Sequence, residues 1–122
     1  MARALGVIPA RYGSTRFPGK PLAPLGGRTL LERVFRRASE AKRLEKVVVA
    51  TDDERIVEAC RGFGAEAVMT SSEHASGTDR IAEAILGMDR GFGVVVNVQG
   101  DEPFVTPTSL DRLVEAFDGE RP

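Results

Sequence analysis

"KVVVATDDERIVEACRGFGAEAVM", residues 46–69, reads as strand, helix, strand. The runs "KVVVAT" (46–51) and "AEAVM" (65–69) are short, apolar and rich in β-branched residues. They do not alternate cleanly, which is the pattern of strands covered on both faces in a parallel sheet. Between them Ile56, Val57, Cys60 and Phe63 recur at helical spacing and would share one buried face. Thr51 followed three residues later by Glu54 predicts a capping box at the helix start, and Gly62 and Gly64 mark its end. Two strands joined through a helix form a parallel crossover unit, the building block of α/β sheets.

The same grammar extends in both directions. "ALGVI" (4–8) and "VVVNV" (94–98) are two further strands of the same kind. Leu30, Leu31, Val34, Phe35 and Ala38 form a second helical face, opened by Thr29 with Glu32. Ile81, Ala82, Ile85 and Met88 form a third, opened by Ser76 with Asp79. Leu110, Leu113, Val114 and Phe117 form a fourth, opened by Thr106 and Pro107, and Gly119 lies near its end. Strand and helix alternate throughout, so the fold class is α/β, a doubly wound sheet. No repeat or internal linker divides the chain, whose 122 residues suit one compact domain or part of one. The sequence ends in "FDGERP", just after a helix, a Gly- and Pro-containing exit that often precedes more chain.

Composition narrows the function. Hydrophobic residues make up 42% and charged residues 29%, as in a soluble globular domain. A net charge of −1 argues against a general nucleic-acid or membrane binder. A single cysteine, Cys60, excludes an internal disulfide and fits a reducing compartment, the cytoplasm; its place on a helical face makes it a core thiol. No signal peptide or membrane-length apolar run is present. Charge is unevenly spread: residues 1–31 hold five cations and no acid, whereas residues 101–122 hold six acids and two cations. A positive front suits an anionic ligand and an acidic tail suits a metal, although solvated surface charge accounts for the same pattern.

The unusual residues fall after the strands. In open α/β sheets ligands bind outside the carboxyl ends of the strands. There stand "RYGSTRFPGKP" (11–21), "TDDE" (51–54), "TSSEHASGTDR" (70–80) and "QGDEP" (99–103), four loops expected on one rim. In the first, Gly13, Ser14 and Thr15 allow turn backbone whose N–H groups aim at an anion, and Arg11, Arg16 and Lys20 offer charge-assisted bonds to phosphate oxygens. It is not a Walker A loop: Gly13 and Gly19 enclose five residues and Pro21, not Ser or Thr, follows Lys20. In the fourth, Asp101 beside Gly100 suits Mg²⁺, which takes one or two carboxylates together with waters and substrate phosphates. A second ligand would come from the nucleotide, from Asp52 or Asp53, or from further chain, and "TDDE" reads mostly as a helix cap. In the third, a helix start offers N–H donors, Arg80 adds a cation and Gly77 permits close approach; His74, the only histidine, reads as a solvated loop residue.

Taken together, "IPARYGSTRFPGKPL", "VATDDERI", "VMTSSEHASGTDRIAEA" and "VVNVQGDEPF" stand in the order and spacing of the CMP-Kdo synthetases. These cytidylyltransferases activate 3-deoxy-manno-octulosonate (Kdo) for lipopolysaccharide. The resemblance covers nearly the whole chain. It implies a Rossmann-like, mainly parallel sheet of the nucleotide-diphospho-sugar transferase type. Residues 1–122 would then be the nucleotide-binding part of a single cytidylyltransferase domain, about the first half of a typical member, which as a whole would be a homodimer. It implies CTP and an acidic sugar as substrates, and Mg²⁺ as cofactor. By the resemblance, Arg11 and Lys20 hold the CTP phosphates, Ser14, Thr15 and Arg16 shape the loop, and Ala10 meets the base through its backbone. Ser76, Gly77, Thr78 and Arg80 lie by the cytidine or its phosphates, Gln99 faces the sugar or reacting centre, and Asp101 ligates the metal. The sequence departs from the family at Ala75, where Gln is frequent after the histidine. CMP-sialic acid and amino-Kdo cytidylyltransferases are the neighbouring alternatives, and a non-catalytic nucleotide-binding module is the alternative of a different class.

Overall fold

The computed structural model describes residues 4–11, 20–70, 80, 94–98 and 106–119. Among the described residues, four parallel strands form the main sheet: β1 (Ala4–Ala10), β4 (Lys46–Thr51), β5 (Glu66–Met69) and β6 (Val94–Asn97), in the order β5-β4-β1-β6. The register sets Ala10 beside Thr51 and Thr51 beside Met69, so these strands end level with one another. On the other side β6 pairs with β1 from Ala4↔Val94 to Val7↔Asn97. β1 runs two residues beyond the expected "ALGVI", through Pro9. Proline is rare inside a sheet because it lacks a donor. Here the paired residues of β6 end opposite Val7, and among the described residues Pro9 pairs only with Ala50 of β4.

Helices α1 (Leu30–Ser39), α2 (Glu54–Gly62) and α3 (Pro107–Gly119) contribute to one core layer. Leu31, Val34, Ala38, Ile56, Cys60, Leu110 and Val114 pack there against Ala4, Ile8, Val49, Val94 and Val96. Phe35 and Phe63, half-buried, close this layer with ring centroids 5.6 Å apart. Gly6 lies tight on that side: a Cβ would stand 3.0 Å from Leu44 Cδ1 and 3.4 Å from Val47 Cγ2, so these side chains would have to give way. On the opposite face Leu5, Val7, Val48 and Ala50 are also closed to solvent, as the unbroken apolar runs of β1 and β4 require.

Three expectations need correction. Helix α2 is capped by Asp53, whose carboxylate accepts from Arg55 N at 2.8 Å; Thr51 does not open it. Thr51 is still extended and paired with β1 and β5, and its hydroxyl accepts from Asp53 N at 3.3 Å. Leu113 was expected in the core but is 58% exposed, on the side of α3 turned from Leu110 and Val114. β6 alternates, with Val94 and Val96 buried and Val95 and Asn97 exposed, so among the described strands double-sided cover belongs to β1 and β4.

The Thr29 cap is present: its hydroxyl accepts from Glu32 N at 3.1 Å. The Thr106 start is present too, with its hydroxyl accepting from Ser109 N at 3.2 Å. A short hairpin, β2 (Pro24–Leu25) with β3 (Arg28–Thr29), was not expected. It turns on Gly26 and Gly27, both at positive φ (64° and 88°), the pair of values a two-residue hairpin favours. The helix expected from Ile81 to Met88 lies outside the described residues, apart from its first neighbour, Arg80.

Candidate functional site

Because the four strands of the main sheet are parallel, the segments that follow them leave from one rim: Arg11 after β1, Asp52 after β4, Thr70 after β5 and Val98 after β6. The chain proceeds from β1 outward to β4 and β5, then returns to β6 on the other side of β1. The direction of winding therefore reverses between β1 and β6. A crevice opens at such a reversal, outside the carboxyl ends of the strands. The segments leading from β1 and β6 are the cation-rich loop and "QGDEP".

The first loop is anchored at both ends. Ala10 is buried in the sheet and Arg11, the next residue, is exposed. Lys20 opens a 3₁₀ turn (Lys20–Leu22), and Leu22 packs against the core. Behind it, Leu30 N donates to Ala23 O at 2.9 Å. Ser14, Thr15 and Arg16 lie outside the described residues, as do Ser76, Gly77, Thr78, Gln99 and Asp101. The structure thus sets Ala10 and Arg11 on the rim, with Lys20 at the far end of the same loop.

Arg80 is placed unexpectedly. Its side chain is fully buried, although an exposed cation was the natural reading of a loop arginine. Arg80 Nη1 donates to Thr70 Oγ1 at 2.5 Å, and Nη2 lies 3.6 Å from Asp52 Oδ2. Thr70 N in turn donates to Thr51 O at 2.7 Å, tying the ends of β4 and β5 together. A buried guanidinium is tolerated when it is paired and hydrogen-bonded, and these partners supply both. Thr70 was not anticipated as a partner; its position at the end of a strand beside the "SSEHASGTDR" run was the available signal.

The metal expectation can be tested on the described carboxylates. Asp52 faces Arg80, while Asp53 caps α2 and forms an ion pair with Arg55 at 2.8 Å. The Arg55 side-chain bond holds the Asp53 carboxyl below the usual range. Each acid is thus engaged by a cation, and the described residues contain no group of three acidic, histidine or cysteine ligands. They do not by themselves make a metal site. Cys60 is no nucleophile: burial pushes its thiol up to about 11, so it stays protonated. Among the described residues, no helix is long and apolar enough to cross a membrane.

Known proteins agree with this architecture. The sequence profile of the family described as cytidylyltransferase matches residues 5–121. A 3-deoxy-manno-octulosonate cytidylyltransferase of Myxococcus xanthus is 56% identical over 115 residues, covering 94% of this chain and 46% of that protein. An 8-amino-3,8-dideoxy-manno-octulosonate cytidylyltransferase of Shewanella oneidensis is 54% identical over 114 residues, with 92% and 46% covered. A solved CMP:2-keto-3-deoxy-manno-octonic acid synthetase in complex with CTP superposes with a TM-score of 0.93 at 39% identity, covering 98% of this chain and 48% of that one. The chain spans about half the length of the relatives it matches. With a parallel α/β sheet, a winding reversal beside a cation-rich loop, and a profile match over nearly all of its residues, the chain belongs to the cytidylyltransferase family.

Proposed function

We propose that the full-length protein transfers the cytidylyl group of CTP to Kdo, giving CMP-Kdo and pyrophosphate for lipopolysaccharide biosynthesis. The observation that carries this reading is the position of Arg11 and Lys20. They bound the loop that leaves β1, a strand at the winding reversal of a sheet that matches a CTP-bound synthetase. In the reaction the anomeric hydroxyl oxygen of the sugar bonds to the α-phosphorus. The bond from that phosphorus to the bridging oxygen breaks, pyrophosphate leaves in line, and the hydroxyl proton is lost. Negative charge gathers on the leaving group, so fixed cations beside it lower the barrier.

Arg11 and Lys20 take that role, with Ser14, Thr15 and Arg16 shaping the loop and the backbone of Ala10 meeting the base. Ser76, Gly77, Thr78 and Arg80 belong to the segment that borders the nucleotide, and Gln99 faces the sugar. Asp101 is the residue we assign to Mg²⁺. The cytoplasm and a homodimeric whole protein complete the proposal. A second reading, use of the 8-amino sugar, is favoured by the 54% identity to the Shewanella relative.

The test is a substrate panel on the full-length protein with CTP and Mg²⁺, reading pyrophosphate and CMP-sugar formation with Kdo, 8-amino-Kdo and sialic acid. Kdo is expected to react fastest. Preference for the amino sugar establishes the second reading, and turnover with none of the three refutes cytidylyl transfer to this class. Lys20→Ala is expected to lose about 100-fold or more in kcat while remaining folded. Undiminished turnover in that variant removes Lys20 from the site.

A further inference from the structure

We infer that Asp52 is a positioning residue for nucleotide binding, acting through the buried Arg80 guanidinium with Thr70 as its hydroxyl partner. This rests on the cytidylyl-transfer reading and names a further determinant of the same site. Asp52 and Thr70 follow the neighbouring strands β4 and β5, whose ends are tied by the 2.7 Å bond from Thr70 N to Thr51 O. Arg80 closes the "SSEHASGTDR" segment, which holds the expected nucleotide contacts Ser76, Gly77 and Thr78. Its guanidinium is fixed to that double strand end by Thr70 Oγ1 at 2.5 Å and Asp52 Oδ2 at 3.6 Å. Arg80 is wholly buried and Asp52 is 16% exposed, so water screens their attraction weakly. Arginine meets both groups from one planar head, with a hydrogen bond to Thr70 and an ion pair to Asp52, which a lysine would not reproduce. The carboxylate and hydroxyl therefore hold Arg80, the last residue of this segment, against Thr70, the residue that precedes it. Asp52 is thereby assigned a role other than the metal ligation weighed from the sequence.

The experiment is steady-state kinetics of the full-length protein with CTP, Kdo and Mg²⁺, for Asp52→Asn, Arg80→Lys and the double variant, with a melting curve for each. Asp52→Asn is expected to raise KM for CTP about 10-fold with a much smaller change in kcat. The double variant is expected to be little worse than Arg80→Lys alone, because the two changes break one interaction. A purely structural role would lower the melting midpoint and the active fraction while leaving KM in place, and that result overturns the inference. So does an additive cycle, or an unchanged KM in folded Asp52→Asn. Should Asp52→Asn fail to fold, Thr70→Val reads the same network by deleting only the acceptor hydroxyl, and an unchanged KM there overturns it equally. A wild-type protein without CTP-dependent pyrophosphate release defeats the cytidylyl reading and this inference together. A wild type that turns over beside an indifferent Asp52→Asn defeats this inference alone.

Discussion

At the scale of single residues, the contacts that hold the described parts together are few and specific. Asp111 of α3 accepts from Arg43 N at 2.6 Å and from Lys42 N at 3.2 Å, 68 and 69 residues away in sequence. One carboxylate thus pins α3 to the turn between α1 and β4, and Arg43 adds an ion pair to Glu115 at 3.5 Å. Asp111→Ala removes both acceptor bonds and leaves two backbone donors to find water. The expected cost is about 1–2 kcal/mol, read as a lower urea midpoint with an unchanged slope. An unaltered midpoint would show that solvent replaces the carboxylate fully. Nothing in the sequence singled out Asp111, because an acid on an amphipathic helix looks like any solvated charge until the distant turn is placed beside it. The Arg80 pair was hidden for the same reason. Its residues were visible, but burial of the guanidinium depends on how the ends of two strands meet.

At the scale of elements, helix α2 shows how local signals compete. Thr51 and Asp53 both suit a helix start, and the sheet decides between them by keeping Thr51 extended. Asp53 then carries a charge-dependent cap. Its carboxyl is held below the usual value of 3.8, first by the Arg55 side chain. A lowered folded-state value means stability that is present above the unfolded-state value and is lost as pH falls through the folded one. Asparagine caps about as well as aspartate, so Asp53→Asn isolates the charge. The wild type is expected to be modestly more stable at pH 7, with the advantage fading below pH 3.8 and shrinking in high salt. Urea midpoints at pH 7 and pH 3 check this, and a difference independent of pH would place the effect elsewhere. The strands and the three described helices were legible because periodicity and caps are local. The Gly26–Gly27 hairpin was legible too, in its Gly-Gly pair, and went unread. The exposure of Leu113 and Val95 was not legible, since it depends on which neighbours surround an outer strand and its helix.

At the scale of the whole molecule, the question is whether this stretch holds nucleotide without the remainder found in its relatives. The sheet argues that the binding frame is largely here: β1 and β4 are closed on both faces, Ala10 and Thr51 are buried at the rim, and Leu22 anchors the far end of the cation-rich loop. The sequence placed the four strand ends on one rim because parallel strands put every carboxyl end on one side. It could not order the strands, and the order is what places the winding reversal between β1 and β6. A frame of this kind should gain stability from its own ligand. At about 100 times the dissociation constant, a ligand adds roughly 2.7 kcal/mol, and each kcal/mol moves the melting midpoint of a small domain by about 4–8 °C. The 122-residue chain is therefore expected to melt later with CTP and Mg²⁺ than with UTP, ATP or GTP. Base selection would then reside in this stretch, at the backbone of Ala10 and the segment ending in Arg80. An equal shift with all four nucleotides would assign the phosphates to this stretch and the base to chain beyond it. A cooperative melt that no nucleotide moves would mean that the cation-rich loop needs the remaining half to become a site.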